Sequence, residues 1–151
     1  MGCAPIAGPN EVYRDARMAF ERFLEQECNV YVERSHCVEE HGPDVDLQAR
    51  QIDEDNPDKI VTKFSSWEVL QACQHQFYEV YKEEMLEAEK EGFFVRTFNP
   101  GVSVGIGLFG SEFEIAEIHL VTFVCVFEEG HWYEKTGYPN ARAEAEQYWP
   151  R

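Results

Sequence analysis

The sequence predicts an α+β domain in which two long amphipathic helices pack on an antiparallel sheet of about four strands, followed by a short C-terminal helix. Before Gly92, apolar residues recur at helical spacing; from Gly92 onward they alternate with polar residues and are separated by glycine-containing turns. Neither a repeat nor a linker divides the 151 residues. We therefore expect a flexible tail over residues 1–9 and a single domain over residues 10–151.

The first helix is predicted over residues 10–28, where Asn10 suits the N-cap position. Its apolar face consists of Tyr13, Ala16, Phe20, Phe23 and Leu24. The same stripe continues to Val38, although residues 30–32 include β-branched side chains that disfavour a helix. We expect the helix to reach about residue 41, with a break near Asn29 as the alternative.

Residues 42–65 are acidic and irregular. Short alternating patterns over 45–49 and 60–64 predict either a peripheral hairpin that turns at 55–58 or an exposed loop. The spacing of the acids does not match an EF-hand, because the central glycine and the terminal glutamate are missing.

A capping box at Ser65–Glu68 predicts the start of the second helix, and Gly92 predicts its end. Its inner stripe is expected to lie in the core and consists of Trp67, Leu70, Cys73, Phe77, Tyr81, Met85 and Ala88. Glutamates four residues apart form an outer acidic ridge: Glu79, Glu83, Glu87 and Glu91. Like charges at this spacing destabilise a helix unless a positive surface meets them, so the ridge is the predicted partner-binding surface.

The C-terminal half reads as strands and turns. Strands are predicted over 93–98, 102–109, 112–127 and 131–136, and a last helix over 140–148 whose Tyr148 and Trp149 pack back. The turns are predicted at 99–101, 110–111 and 128–130. The stretch 112–127 is too long for an ordinary strand, which indicates a β-bulge near residues 116–117 or a short helix over 113–120.

Two motifs associated with catalysis overlap between Asn99 and Gly110. Gly101–Gly105 reads G-x-S-x-G and Gly105–Gly110 reads G-x-G-x-x-G, but both require a helix directly after the motif, whereas the residues here continue to alternate. We interpret the stretch as a strand whose glycines leave clearance for a neighbour. The predicted pocket residues on this side are Tyr81, Ser103, Gly105 and Trp132.

The remaining chemical candidates are weak. Cys37 and His41 share a helix face and suit zinc, but two ligands do not make a site, so no metal or cofactor is predicted. The acid and base candidates are Glu114, Glu117 and His119, which are expected near a face of the sheet. Five cysteines, an odd number, do not resemble a disulfide framework and indicate reduced thiols.

A formal net charge of -16, spread over the whole chain, disfavours direct binding to nucleic acid and favours a basic protein partner. No apolar run could span a bilayer and no secretory signal is recognised, so we expect a cytoplasmic protein. The first hypothesis is a non-enzymatic acidic interaction protein, an inhibitor or nucleic-acid mimic that covers a basic enzyme or toxin. The alternative is a small-molecule-binding protein or small enzyme, with a pocket between the helices and a curved antiparallel sheet.

Overall fold

A computed structural model of the chain describes residues 9–47, 60–109 and 114–148. In these ranges there are five helices: α1 (Pro9–Cys28), α2 (Cys37–His41), α3 (Trp67–Val80), α4 (Lys82–Ala88) and α5 (Ala141–Tyr148). The seven strands are β1 (Val30–Tyr31), β2 (Val61–Phe64), β3 (Phe93–Phe98), β4 (Gly105–Phe109), β5 (Glu114–Ile118), β6 (Val121–Glu128) and β7 (His131–Pro139). Within the part of the chain that the structure describes, no helix is long and apolar enough to cross a membrane.

The strands form two sheets, which confirms the α+β class but corrects the expected single antiparallel sheet. A four-stranded sheet has the order β1-β7-β6-β3, and a three-stranded sheet has the order β2-β4-β5. β1 runs parallel to β7, whereas the other pairs are antiparallel. The sheets meet where the Thr62 hydroxyl donates to the carbonyl oxygen of Pro139 at 2.8 Å. The division into two sheets could not be predicted from alternation along single strands. Alternation shows which face of a strand is apolar, whereas packing in the folded chain determines which strands pair.

The first helix ends at Cys28, so the expectation of a helix to about residue 41 is wrong and the break near Asn29 is confirmed. Asn29 has a left-handed backbone (φ 55°), and its carbonyl oxygen accepts a hydrogen bond from Trp132 N at 3.2 Å. Val30 then pairs beside Trp132 in β1, as suits a β-branched residue. Of the predicted helical stretch after Asn29, residues 37–41 are helical and form the short α2.

The second helix is also divided, because Tyr81 (φ -99°, ψ 11°) separates α3 from α4. The hydrogen-bond ladder continues through this kink: Tyr81 N donates to Phe77 O at 3.0 Å, and Met85 N donates to Tyr81 O at 2.9 Å. The N-cap is Ser66, one residue later than predicted, and its hydroxyl accepts from Val69 N at 3.1 Å. Two long uninterrupted helices are therefore not present, although the predicted inner stripe does form the core.

The core lies between α3 and the four-stranded sheet. The fully buried ring of Phe77 contacts the rings of Phe94, Phe98 and Phe123, with centroid distances of 6.1, 5.6 and 5.0 Å. Burial of such large aromatic side chains is the main stabilising contribution available to a helix packed on a sheet.

Several predicted strand details differ. A strand over Glu114–Ile118 replaces the alternative helix over 113–120, and the bulge lies between Val124 and Cys125 rather than near residues 116–117. Of the predicted hairpin of 45–49 with 60–64, residues 61–64 form β2, which pairs with β4, and residues 45–47 are not a strand, while residues 48–59 lie outside the described residues. Its turn at 55–58, the turn at 110–111, the tail over residues 1–8 and the packing of Trp149 lie outside the described residues. Pro9 already belongs to α1.

The glycine strand is shorter than predicted, and its bare side is occupied by a neighbour. β4 begins at Gly105, while Val102 precedes the strand and remains 57% exposed. A Cβ atom on Gly105 would overlap the backbone carbonyl oxygen of Lys63 and lie 2.8 Å from Pro139 Cγ. Gly105 therefore allows β2 and β7 to approach β4 closely.

We expect Gly105→Val to lower the free energy of unfolding by more than about 2 kcal/mol, because backbone atoms must move to admit the side chain. Urea denaturation of the purified chain measures this change. The matched control is Val102→Ala, an exposed change three residues away that should cost less than about 0.5 kcal/mol. Equal stability of the two variants would contradict the close approach at Gly105.

Candidate functional site

The acidic ridge of Glu79, Glu83, Glu87 and Glu91 is exposed along α3, α4 and the turn that follows. Glu79 lies 2.9 Å from His75 through its Oε1 and the imidazole Nε2. Glu83, Glu87 and Glu91 make no ion pair with any residue that the structure describes. Three carboxylates on this ridge therefore lack a partner of opposite charge among those residues.

Apolar side chains are exposed beside the ridge. Val80 and Leu86, on the same two helical segments, are 62% and 60% exposed. On β3, which follows directly, Phe93 and Val95 are 63% and 40% exposed. Exposed apolar groups with a charged surround are typical of protein interaction surfaces.

The four predicted pocket residues lie apart: Trp132 lines a cavity of about 140 Å³ beside Cys28 and Met85, and the other three do not line it. Tyr81 and Trp132 both contact the ring of Phe94, with centroid distances of 5.7 and 6.4 Å, and belong to the core or its margin. Ser103 is half-buried just before β4. Gly105 belongs to the three-stranded sheet, where it pairs with β2.

Of the acid and base candidates, His119 lies at the junction of β5, β6 and α5, whereas Glu114 and Glu117 lie on β5. Glu117 is exposed on β5, and Glu114 lies on the same strand. His119 Nδ1 lies 2.8 Å from Glu144 Oε1, and Glu144 Oε2 accepts hydrogen bonds from the backbone N of His119 at 2.9 Å and of Leu120 at 3.0 Å. Because the buried carboxylate of Glu144 binds the backbone at this bend, its evident role is to hold α5 on the sheet.

The two candidate metal ligands, Cys37 and His41, have different surroundings. Cys37 is fully buried, and this burial raises the pKa of its thiol well above the usual value. His41 Nδ1 lies 2.9 Å from Thr62 O, and its ring packs on Tyr138 with a centroid distance of 5.4 Å. Across residues 9–47, 60–109 and 114–148, no group of three or more His, Cys, Asp or Glu side chains is arranged to hold a metal ion.

A buried carboxylate that the sequence-based predictions did not include is that of Glu134 on β7, which is 1% exposed beneath α3. The Tyr78 hydroxyl donates to Glu134 Oε1 at 2.6 Å, and Gln74 Nε2 donates to Oε1 and Oε2 at 3.1 and 3.2 Å. Burial raises the pKa of Glu134, while hydrogen bonds from Ser35, Tyr78 and Gln74 partly oppose this rise. One signal was available: Glu134 is two residues after Trp132 and therefore shares its face of the strand.

A separate open groove of about 440 Å³ lies between α2, β2 and the start of α5. Its described lining residues are His41, Ile60, Thr62, Tyr138, Pro139, Asn140, Ala141, Arg142 and Ala143. None of the predicted pocket residues is among them, so this groove is a location that the sequence did not indicate.

Comparisons with known proteins inform the fold alone. The sequence matches no protein-family model and no curated protein. Among solved structures, a chain in the crystal structure of the CdiA-CT/CdiI complex from Y. kristensenii 33638 is similar, with a TM-score of 0.60 and 13% sequence identity. The similarity covers 70% of this chain and 99% of that chain. The described architecture therefore occurs in a known protein of very different sequence.

The buried Glu134 predicts a specific pH dependence of stability. Its carboxyl ionises at the ordinary pKa in the unfolded chain but at a raised pKa in the folded protein, so unfolding releases a proton between these two values. The stability contributed by the protonated carboxyl is complete below about pH 4.3 and is lost as the pH rises through the raised pKa.

We expect the unfolding free energy of the wild type to fall, relative to that of Glu134→Gln, as the pH increases over this range. Urea denaturation at a series of pH values measures it. The matched control is Glu128→Gln, an exposed change outside both the buried cluster and the acidic ridge, which should alter the unfolding free energy by less than about 0.5 kcal/mol. A difference between the wild type and Glu134→Gln that stays constant over the pH series would show that Glu134 has no raised pKa.

Proposed function

We propose that this chain is a non-enzymatic acidic protein that binds a basic protein partner through the acidic ridge and thereby inhibits it. The observation that carries the proposal is the exposure of Glu83, Glu87 and Glu91 without an ion-pair partner in the described structure. A basic partner would supply the missing positive charges.

The energetics of the ridge favour such a partner. Glu83 and Glu87 are four residues apart in α4, and such a like-charge pair destabilises a helix by roughly 0.2–0.5 kcal/mol. A facing basic surface removes this repulsion. The net charge of -16 also attracts a basic protein over a distance and accelerates the encounter. The same charge disfavours direct contact with the phosphates of nucleic acid.

Val80 and Leu86 supply the apolar surface that a tight protein interface needs in addition to charge. Exposed ion pairs contribute mainly to the rate and specificity of association, whereas burial of apolar surface contributes most of the affinity. These two side chains lie within the acidic segment and are about 60% exposed, so a partner that covers the ridge would bury them.

The structural comparison supports a protein partner. The similar chain comes from a structure of a complex, CdiA-CT/CdiI, and binding to a protein is consistent with a shared fold. Inhibition would follow if the ridge covers a basic surface that the partner uses for an anionic substrate, which is the sense in which the chain would mimic nucleic acid.

The open groove is the observation that favours the alternative, a small-molecule-binding protein or small enzyme. Its volume of about 440 Å³ is within the range of ligand pockets, and Arg142 is exposed at its lining. A groove ligand would raise the melting temperature of the wild type but not of an Arg142→Ala variant. We prefer the protein partner to the small-molecule ligand. The groove is open to solvent, whereas Glu83, Glu87 and Glu91 are exposed without an ion-pair partner among the described residues.

We expect the intact chain, used as bait in an extract of its native host, to retain a basic protein at low salt and release it at high salt. The triple variant Glu83→Gln, Glu87→Gln, Glu91→Gln should bind that protein at least about tenfold more weakly, because three facing charges are lost. Titration of the purified partner measures the dissociation constants.

The matched control neutralises three exposed acids elsewhere: Glu39→Gln, Asp44→Asn and Glu128→Gln. It removes the same total charge and should bind nearly as well as the wild type. If both triple variants lose affinity equally, net charge rather than the ridge governs binding; if neither does, the ridge is not the binding surface.

A further inference from the structure

We infer that β3 accepts an extended segment of a basic partner protein as an additional strand of the four-stranded sheet. This inference rests on the proposed function and specifies how the partner is held. It starts from the position of β3, which is the last strand in the order β1-β7-β6-β3 and therefore has one edge with no neighbouring strand among those described.

The hydrogen-bond register identifies which backbone groups face this edge. Gly92 O accepts from Phe127 N at 2.9 Å, and the register continues with Phe94 opposite Cys125. Successive residues of an antiparallel strand direct their N–H and C=O groups to opposite sides. Phe94, Arg96 and Phe98 therefore face β6, whereas the backbone groups of Phe93, Val95 and Thr97 face the open edge.

One of these edge groups is occupied by the chain itself. Arg96 Nη1 donates to Val95 O at 2.8 Å, while Arg96 Nε lies 3.4 Å from Glu84 Oε2 of α4. The Arg96 side chain is 48% exposed, and its guanidinium carbon lies 4.3 Å from the centroid of the buried Phe94 ring. A partner strand therefore has to break only the hydrogen bond to Val95 O, because the guanidinium can stay over Phe94. A charged side chain at a strand edge is a common means of preventing unspecific pairing.

The side chains at the edge suit alternate contacts with an added strand. Phe94 and Phe98 pack on Phe77, which places them on the helix side of the sheet. By alternation, Phe93 and Val95 lie on the opposite face, where they are 63% and 40% exposed. In strand addition, backbone hydrogen bonds give affinity and alternate side-chain contacts give specificity.

Charge selects the occupant. The ion pair of Glu84 with Arg96 shows that α4 lies beside β3, and Glu91 of the acidic ridge is only two residues before Phe93. Lysine or arginine side chains of an incoming strand would meet these carboxylates. A second copy of this chain would instead bring two acidic ridges and two net charges of -16 together, so pairing of identical β3 edges is disfavoured.

The test uses the full chain and a blocked eight-residue peptide of alternating valine and lysine. We expect the backbone amides of Phe93, Val95 and Thr97 to exchange quickly in the free protein and to slow by about tenfold or more when peptide is bound, measured by hydrogen exchange with NMR. The amides of Phe94 and Arg96 should be protected in both states. N-methylation of alternate peptide residues, or glutamate in place of lysine, should abolish binding.

Two variants of one residue separate backbone from side-chain contacts. Val95→Pro removes an N–H group that faces the open edge and leaves the β3–β6 hydrogen bonds in place, so peptide affinity should fall by about tenfold. Val95→Ala keeps the N–H group and should lose less affinity. Arg96→Met releases Val95 O and should strengthen binding. If Val95→Pro fails to fold, the N-methylated peptide decides the same question.

The outcomes distinguish this inference from the proposed function. Binding of the peptide or of a basic partner that depends on Glu83, Glu87 and Glu91, without protection of the three edge amides, would overturn strand addition and leave the proposed function standing. Absence of binding to either would overturn both. A dimer in sedimentation analysis that protects the same amides would assign the edge to a second copy and overturn the inference.

Discussion

The packing of one face of α3 against β3 and β6 determines where the acidic ridge and the buried polar cluster lie. Phe77 and Tyr78 are completely buried on this face, and Phe77 contacts aromatic rings from both strands. Because a helix has 3.6 residues per turn, the burial of these positions directs Glu79 and Glu83 away from the sheet. The acidic ridge is thus a geometric consequence of the core rather than an independent feature.

The same contact contains the buried polar cluster around Glu134. Gln74 and Tyr78 reach its carboxylate from the inner face of α3, so a rotation of the helix would break their hydrogen bonds and leave a buried acid without donors. An uncompensated buried polar group is costly, whereas a satisfied one contributes little net stability. The cluster therefore favours one rotation of α3 about its axis over others. Hydrogen bonds are directional, so they select this orientation more strongly than apolar contacts alone would.

Local sequence patterns predicted most element types, although not the strand β1 or the division of the second helix, and they did not predict the strand partners. The inner stripe of the second helix, the strand at 93–98 and the turn before β7 follow from periodicity and turn residues. The pairing of β3 with β6 does not, because alternation fixes which face of a strand is apolar and not which strand lies beside it. For this reason the glycine stretch was expected in one continuous sheet, whereas its neighbours are β2 and β5.

The candidate sites show the same limit. Exposure of the acidic ridge was predictable from helical spacing, since a glutamate on the outer side of an amphipathic helix remains in water. Strand alternation with Trp132 points to the burial of Glu134, but residue spacing does not distinguish Glu144 from the other acids. Their burial depends on donors that are distant in sequence, such as Tyr78 and the backbone of His119, and these contacts exist only after the fold has formed.

Arg96 contacts both of the surfaces that we propose for partner binding. In the isolated chain its guanidinium serves both Glu84 and the edge carbonyl of Val95, so one positive group satisfies part of the acidic surface and part of the open strand. An incoming strand that takes over Val95 O leaves a carboxylate beside a newly covered edge, and a lysine or arginine of that strand can replace the guanidinium there. An uncharged or acidic strand would offer the backbone hydrogen bonds without this replacement and would leave Glu84 less well compensated. Under the proposed strand addition, the edge would therefore discriminate by charge even though backbone hydrogen bonding does not depend on sequence. The proposed preference for a basic partner would arise in this way.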